Sequence, residues 1–262
     1  MFRHLTSEVV LHFKYARKQL ALNHFNLWLL LAFLTYGCQK TSSGPTREGL
    51  DTLYPSATTV IQQHNNEWSR NNYIVRINSF KNNPLKFGEI VFIGNSLTEQ
   101  GGDWGVKFGL NGIRNRGIAG DVTDGVLMRL QEIIYYKPKA VFLLIGVNDI
   151  FNLQGGGGIT SADYIANNIL KITKKIKAGS PSTRIYVQTI LPATAEIQMN
   201  TQLINTMIKR NGEAGIYTTI DLHAAFTNSQ GLMRQDLTTD GLHLNDRGYK
   251  VWVDVLDPFV RQ

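Results

Sequence analysis

The chain has 262 residues, 43% of them hydrophobic, and a formal net charge of +7. That length suits one domain plus a targeting segment, and the composition allows a sizeable core. Residues 1–37 hold Arg3, Lys14, Arg17 and Lys18 against Glu8 alone, which leaves +4 for the remainder and no basic stripe interleaved with aromatics. That balance argues against a nucleic-acid partner.

At the N-terminus a basic stretch precedes the apolar run at residues 27–34. The run is shorter than the roughly 20 residues needed to span a bilayer, and it has the length of a signal-peptide core. Cys38 is the only cysteine, so an intramolecular disulfide is impossible. Its place directly after Gly37 resembles a bacterial lipoprotein box, although Thr35 stands where leucine is usual. The resemblance implies that Cys38 is lipidated and becomes the mature N-terminus. The expected organisation is a signal peptide over 1–37, a lipidated cysteine and flexible tether over 38–50, and a folded domain over 51–262. The expected location is outside the cytoplasm, anchored by lipid to the cell envelope. The alternative is an ordinary signal peptide with an incidental cysteine.

Residues 58–81 carry Val60, Ile61, Trp68, Ile74, Val75, Ile77 and Phe80 among polar residues, a pattern for one or two amphipathic helices. Residues 89–93 read as a strand, apolar over the last four positions as a strand covered on both faces should be. A short second strand is expected over 111–116. Residues 124–136 read as one helix, with Val126, Leu127, Leu130, Ile133 and Ile134 along one side. Residues 140–145 form the clearest strand. Ser161 is placed to cap a helix running through Lys177, and Lys171, Lys174, Lys175 and Lys177 to form its solvated face. A fourth strand over 184–190 ends before Pro192. A helix over 196–211, a fifth strand over 215–220 and a closing helix over 246–259 complete the pattern. Strands separated by helices imply β-α-β crossovers and a mainly parallel five-stranded sheet. In such sheets ligands sit beyond the carboxyl ends of the strands.

Two clusters fall at that edge. Ser96 lies in Gly94-Asn95-Ser96-Leu97-Thr98, directly after the first strand, and Asp240-Gly241-Leu242-His243 precedes the closing helix. Serine is a weak nucleophile until a neighbouring base takes its proton; histidine does so near neutral pH, and a carboxylate fixes its tautomer. Three of the six histidines fall within residues 1–37, which leaves His64, His223 and His243. His64 is expected on the surface of the early helix. His223 follows the fifth strand and competes with His243 for the role of base. Gly155-Gly156-Gly157-Gly158 lacks the Lys-Ser/Thr of a phosphate loop and reads as a mobile loop bordering the site. There is no His-Glu-x-x-His, no Cys/His cluster and no acidic calcium loop, so neither a metal nor another cofactor is expected.

Over roughly residues 88–258 the sequence resembles the SGNH hydrolases, the GDSL-type esterases and lipases. The matching blocks are Gly94-Asn95-Ser96-Leu97-Thr98, Asn115-Arg116-Gly117 with Ile118-Ala119-Gly120-Asp121, Gly146-Val147-Asn148-Asp149, and Asp240-Gly241-Leu242-His243. The resemblance implies a three-layer α/β/α, flavodoxin-like fold and ester hydrolysis. It implies Ser96 as nucleophile, His243 as base and Asp240 as its partner. It also implies an oxyanion hole built from the backbone N–H groups of Ser96 and Gly117 and the side-chain amide of Asn148. Asn95, Asp121 and Asp149 are expected to brace loops. Among relatives, the blocks look most like carbohydrate or sialic-acid O-acetylesterases and the catalytic subunits of platelet-activating-factor acetylhydrolase.

The chain shows no long apolar lid. The expected function is therefore hydrolysis of a short acyl ester, above all acetyl on a sugar, with Trp104, in Gly101-Gly102-Asp103-Trp104, either a substrate wall or packed in the core. Two alternatives stand beside it: a lysophospholipase or acyl-thioesterase taking longer chains, and a non-catalytic glycan-binding envelope lipoprotein. The oligomeric state is not encoded in any recognisable pattern.

Overall fold

The computed structural model describes residues 47–64 and 66–262. The expected signal peptide, Cys38 and most of the tether lie outside the described residues. Within them a short helix α1 (Arg47–Asp51) and helix α2 (Glu67–Asn82) precede β1 (Ile90–Gly94). Two short helices, α3 (Ser96–Gln100) and α4 (Trp104–Phe108), lead to β2 (Ile113–Gly117). Then come α5 (Thr123–Met128), α6 (Gln131–Tyr136), β3 (Ala140–Leu144), α7 (Val147–Gly155) and α8 (Ala162–Gly179). The chain continues through β4 (Arg184–Gln188), α9 (Ala195–Glu213), β5 (Thr218–Ile220) and α10 (Leu222–Phe226) to the closing helix α11 (Asp246–Val260).

The five strands lie in the order β2-β1-β3-β4-β5, and every pairing is parallel. This is the flavodoxin-like order, which reverses direction beside β1 and so opens a crevice between the carboxyl ends of β1 and β3. Strand side chains alternate between two cores. Val91, Ile93, Val141, Leu143, Ile185 and Val187 join one cluster with α2, α5, α6, α8 and α9. Ile90, Phe92, Phe142, Leu144, Tyr186 and Ile220 join the other, with α4, α10 and α11. Helices thus cover both faces, as the resemblance implied.

The second core decides between the two readings of Trp104 in favour of packing. It is fully buried, with its ring stacked on Phe92 at 4.5 Å, and Phe92 continues across the sheet to Phe142 at 4.9 Å and on to Tyr186 at 4.6 Å. Its indole N–H donates to the carbonyl of Thr98 at 3.1 Å. Trp104 is therefore core and cannot face substrate; truncating such a side chain typically costs about 3–5 kcal/mol.

Other expectations shift as well. Only residues from 67 onward form the early helix, capped by Asn66, whose side chain accepts from Ser69 N–H. The helix expected over 124–136 is broken into α5 and α6 at Arg129, whose backbone leaves helical geometry at φ −113° and ψ 23°; its side chain turns inward to bond backbone behind the sheet edge. Ser161 does cap α8, accepting from Tyr164 N–H, and the lysines on that helix lie on its outer side. No helix among the described residues is long and apolar enough to cross a membrane.

Candidate active site

The site is assembled where β1, β2 and β3 end. Gly94 closes β1; a Cβ there would lie 2.2 Å from the carbonyl oxygen of Leu144 on β3, so only glycine fits. Asn95 caps α3, its Oδ1 accepting from Leu97 N–H at 3.1 Å, as a loop brace should. Ser96 is the first residue of α3 and is 7% exposed. The turn it opens is pinned on all sides: Tyr249 hydroxyl donates to Leu97 O at 2.9 Å, and Asn115 Nδ2 lies within 3.0 Å of the carbonyls of Thr98, Glu99 and Gly102.

The loop before α11 brings His243 to this turn. Its Nε2 stands 3.1 Å from Ser96 Oγ, across 147 residues of sequence. On the other side its Nδ1 lies 2.8 Å from Asp240 Oδ2. Asp240 Oδ1 also accepts the N–H groups of Leu242 at 2.9 Å and His243 at 2.7 Å. Partial burial works to raise the Asp240 carboxyl, but the hydrogen bond from the His243 ring and these two N–H groups more than offset it and bring it down to about 2. An ionised Asp240 keeps the ring proton on Nδ1, which leaves Nε2 free to accept from the serine hydroxyl. Such a chain can move a proton from hydroxyl to imidazole as the oxygen attacks an electrophile.

Gly117 ends β2 in register with Gly94. A Cβ on Gly117 would lie 2.2 Å from Glu99 N, so the absence of a side chain is what lets β2 approach the serine turn. Its N–H, however, already donates to Asn115 Oδ1 at 2.8 Å. The amide nitrogen of Asn115 is held by the three carbonyls above, and this turns its oxygen onto Gly117. Asn148 follows β3, and its Nδ2 donates to Asp121 O at 2.8 Å, which uses one of the two amide protons.

The remaining titratable groups take other roles. His223 does not bond Ser96; its Nδ1 lies 2.9 Å from Thr227 Oγ1, and burial holds its pKa below the usual histidine value. His64, expected on the surface, is 1% exposed and stands 3.1 Å from Asp121 Oδ1; nothing in its local spacing marks a partner 57 residues away. Asp121 also takes Val122 N–H and the Arg129 guanidinium. The four glycines from 155 to 158 end α7, with Gly156 in the left-handed region and Gly157 N–H returning to Asn152 O. Among the described residues no group of three acidic, histidine or cysteine side chains is placed to hold a metal ion.

Asp149 is fully buried and accepts Thr123 N–H at 3.0 Å and Thr123 Oγ1–H at 2.5 Å. Burial outweighs these bonds and pushes its carboxyl up to about 7. The folded state therefore holds the Asp149 proton more tightly than the unfolded chain does. The stability this contributes is fully present below about pH 4 and is lost as pH rises through about 7. Thermal melts from pH 4 to 8 should show this slope in the wild type and its removal in Asp149→Asn.

Beside the serine turn lies a narrow apolar crevice lined by Leu97, Leu144, Val147, Ile190, Leu191 and Leu242, too tight to admit water in this conformation. A larger cleft runs along the β4–β5 edge, past Tyr186, Lys209 and Asp221, and includes none of Ser96, Asp240 or His243.

Comparison with known proteins agrees with this geometry. The model of the GDSL-like Lipase/Acylhydrolase family matches residues 92–251. An N-acylneuraminate cytidylyltransferase from Escherichia coli O18:K1:H7 (strain RS218 / NMEC) is 27% identical over 231 residues, covering 83% of this chain and 51% of that protein. The chain thus spans about half the length of that curated relative. A GDSL-like lipase from Bacteroides thetaiotaomicron VPI-5482 superposes with a TM-score of 0.59 at 21% identity, over 66% of this chain and 87% of that one. The acetyl xylan esterase AlAXEase gives 0.57 at 22% identity, over 66% and 99%. At these identities the structural likeness shows the fold.

Proposed function

Since this chain belongs to the GDSL-like lipase/acylhydrolase family, we propose that it is a carboxylic ester hydrolase that removes acetyl groups from carbohydrate through an acyl-enzyme on Ser96. The observation that carries the mechanism is the continuous hydrogen-bonded path from Asp240 through His243 to Ser96 Oγ. Ser96 Oγ bonds to the acyl carbon as its proton passes to His243 Nε2. The tetrahedral oxyanion is held by the N–H groups of Ser96 and Gly117 and by the second amide proton of Asn148. To serve, Gly117 N–H must exchange Asn115 Oδ1 for the substrate oxygen; the oxyanion is the stronger acceptor because it is charged. The ester C–O bond then breaks and His243 returns its proton to the leaving alcohol. A water molecule deprotonated by His243 releases acetate and restores the serine.

The short acyl chain is supported by the crevice beside Ser96. That crevice is narrow, whereas a decanoyl chain asks for an open apolar channel. The carbohydrate is supported by the relatives, one named for an acylated sugar and one for acetyl xylan. The test is acetate release by the full chain from a panel of acetylated glycans, with Ser96→Ala as control. p-Nitrophenyl acetate should be cleaved at least about tenfold faster than the decanoate, a difference of roughly 1.4 kcal/mol in barrier; the reverse preference would sink the acetyl assignment. Lipidation of Cys38 would place this activity at the cell envelope, on a membrane anchor. Mass spectrometry of the N-terminal peptide checks it, and an unmodified Cys38 in exported protein removes the anchor while leaving the chemistry untouched.

A further inference from the structure

Trp68 is the second aromatic to consider at this edge, and its setting is the opposite of Trp104's. It stands in the first turn of α2 and is 62% exposed. Single exposed apolar residues are ordinary on a protein surface, so exposure alone says little; the neighbours decide. A Cβ on Gly120 would lie 3.2 Å from Trp68 Cζ3, so the indole packs over Gly120 in the loop that follows β2. One turn further along α2, Asn72 Nδ2 donates to Ala119 O at 3.0 Å. One turn further again, Arg76 donates to Gly117 O through Nε at 3.3 Å and Nη2 at 3.2 Å. Three successive turns of one helix therefore track the loop from Gly120 back to Gly117, the residue proposed to hold the oxyanion.

We propose that Trp68 is a stacking platform for a sugar ring of the bound glycan, lying outward from the ring whose acetyl group reaches Ser96. This rests on the carbohydrate reading above and extends it to an oligosaccharide. From residue 68 to residue 76 the helix rises roughly 12 Å, the reach of a short oligosaccharide rather than of one acetylated sugar. The chemistry of the stripe suits a sugar, which offers a C–H face to an aromatic ring and hydroxyls to polar groups at its edge. Trp68 supplies a broad face with one N–H at its rim. Asn71 and Asn72, three and four residues on, lie on its side of the helix, both at least partly exposed. A lipid-facing surface would want a contiguous apolar patch, and on this helix Val75 is the one other large apolar side chain that is mostly exposed.

The test compares the full chain with Trp68→Ala and Trp68→Phe on p-nitrophenyl acetate, acetylated xylose and acetylated xylotetraose, with O-acetylated sialic acid and its oligomer as a second pair. Trp68→Ala should lower kcat/KM on the oligosaccharide about three- to tenfold, mainly through KM, as the loss of one aromatic contact would. It should leave p-nitrophenyl acetate unchanged, and Trp68→Phe should recover most of the loss. Equal losses on the small ester and the oligosaccharide would mean that Trp68 only supports the Gly120 loop, and would overturn the platform. So would undiminished oligosaccharide kinetics, including the case in which Trp68→Ala weakens only binding to phosphatidylglycerol vesicles. Failure of the wild type on every acetylated glycan, with p-nitrophenyl acetate still cleaved, would remove the carbohydrate reading and the platform together; failure of the variant alone to differ removes only the platform.

Discussion

Ser96→Ala is expected to lower kcat on p-nitrophenyl acetate by about 10⁴–10⁶-fold, the range seen when a serine hydrolase loses a member of its nucleophile–base pair. Stability should barely change. The hydroxyl bonds His243 Nε2, the turn around it is held by Asn95, Asn115 and Tyr249, and alanine removes one atom from a site already open to solvent at its rim. His243→Ala should give a loss of similar size, and the double variant no more than either alone, because the two groups act as a unit. Asp240→Asn should cost less. Asp240 is half exposed, so water screens its field on the imidazole, and an amide oxygen can still accept the N–H groups of Leu242 and His243. With its carboxyl at about 2, Asp240 stays ionised at every pH where the protein is assayed. An acid limb in kcat/KM therefore cannot be its titration, and Asp240→Asn should lower the plateau without abolishing that limb. A strictly additive double variant, or Ser96→Ala with undiminished turnover, would contradict a shared proton path.

The parts of this arrangement that were legible in the sequence are those carried by local order. An apolar run that stops at Gly94-Asn95-Ser96 announces a strand and a turn, and the Asp-x-x-His spacing lets one side chain bond both the ring and the backbone of the other. The parallel sheet followed from apolar runs separated by helical periods. What stayed hidden depends on partners far away in sequence. The apolar spacing at Val126, Leu130 and Ile133 is continuous, so it conceals the break at Arg129, whose side chain reaches the distant carbonyls of Gly94 and Arg116. His64 and Trp68 share a short polar stretch, yet one is buried against Asp121 and the other exposed over Gly120. Trp104 could be read from the sequence as substrate wall or as core; β1 and β3 present the aromatic faces of Phe92 and Phe142, and the indole joins that stack. The occupation of Gly117 N–H by Asn115 could not be read at all, since it depends on which way an amide two residues earlier is turned.

Arg129→Lys is expected to lower kcat on p-nitrophenyl acetate about 10- to 100-fold with little change in KM, although Arg129 touches no substrate; the scale follows from the roughly 10²–10³ in rate that one lost oxyanion donor costs. The guanidinium donates to Gly94 O at 3.0 Å, to Arg116 O at 2.7 Å and to Asp121 Oδ2 at 3.0 Å, all buried. Each partner lies directly behind one proposed oxyanion donor. Gly94 leads into Asn95 and Ser96. Arg116 O and Gly117 N–H belong to the same peptide unit, so a charge-assisted bond to its carbonyl fixes and polarises that N–H. The backbone carbonyl of Asp121 receives the Asn148 amide. One planar side chain thus ties together the ends of β1 and β2 and the loop that follows β2, whose donors must converge on one oxygen, and donors held loosely lose part of their effect. Lysine keeps the charge beside Asp121 but cannot present the planar fork to all three acceptors. Arg129→Met goes further and leaves the Asp121 carboxylate buried without its guanidinium, which should cost about 3–5 kcal/mol of stability. Adding Asp121→Asn to Arg129→Met removes the stranded charge and should recover much of that stability without restoring kcat. An Arg129→Lys variant that melts lower but turns over at the wild-type rate would reduce Arg129 to a structural clamp, because a clamp alone has no reason to act on kcat and spare KM.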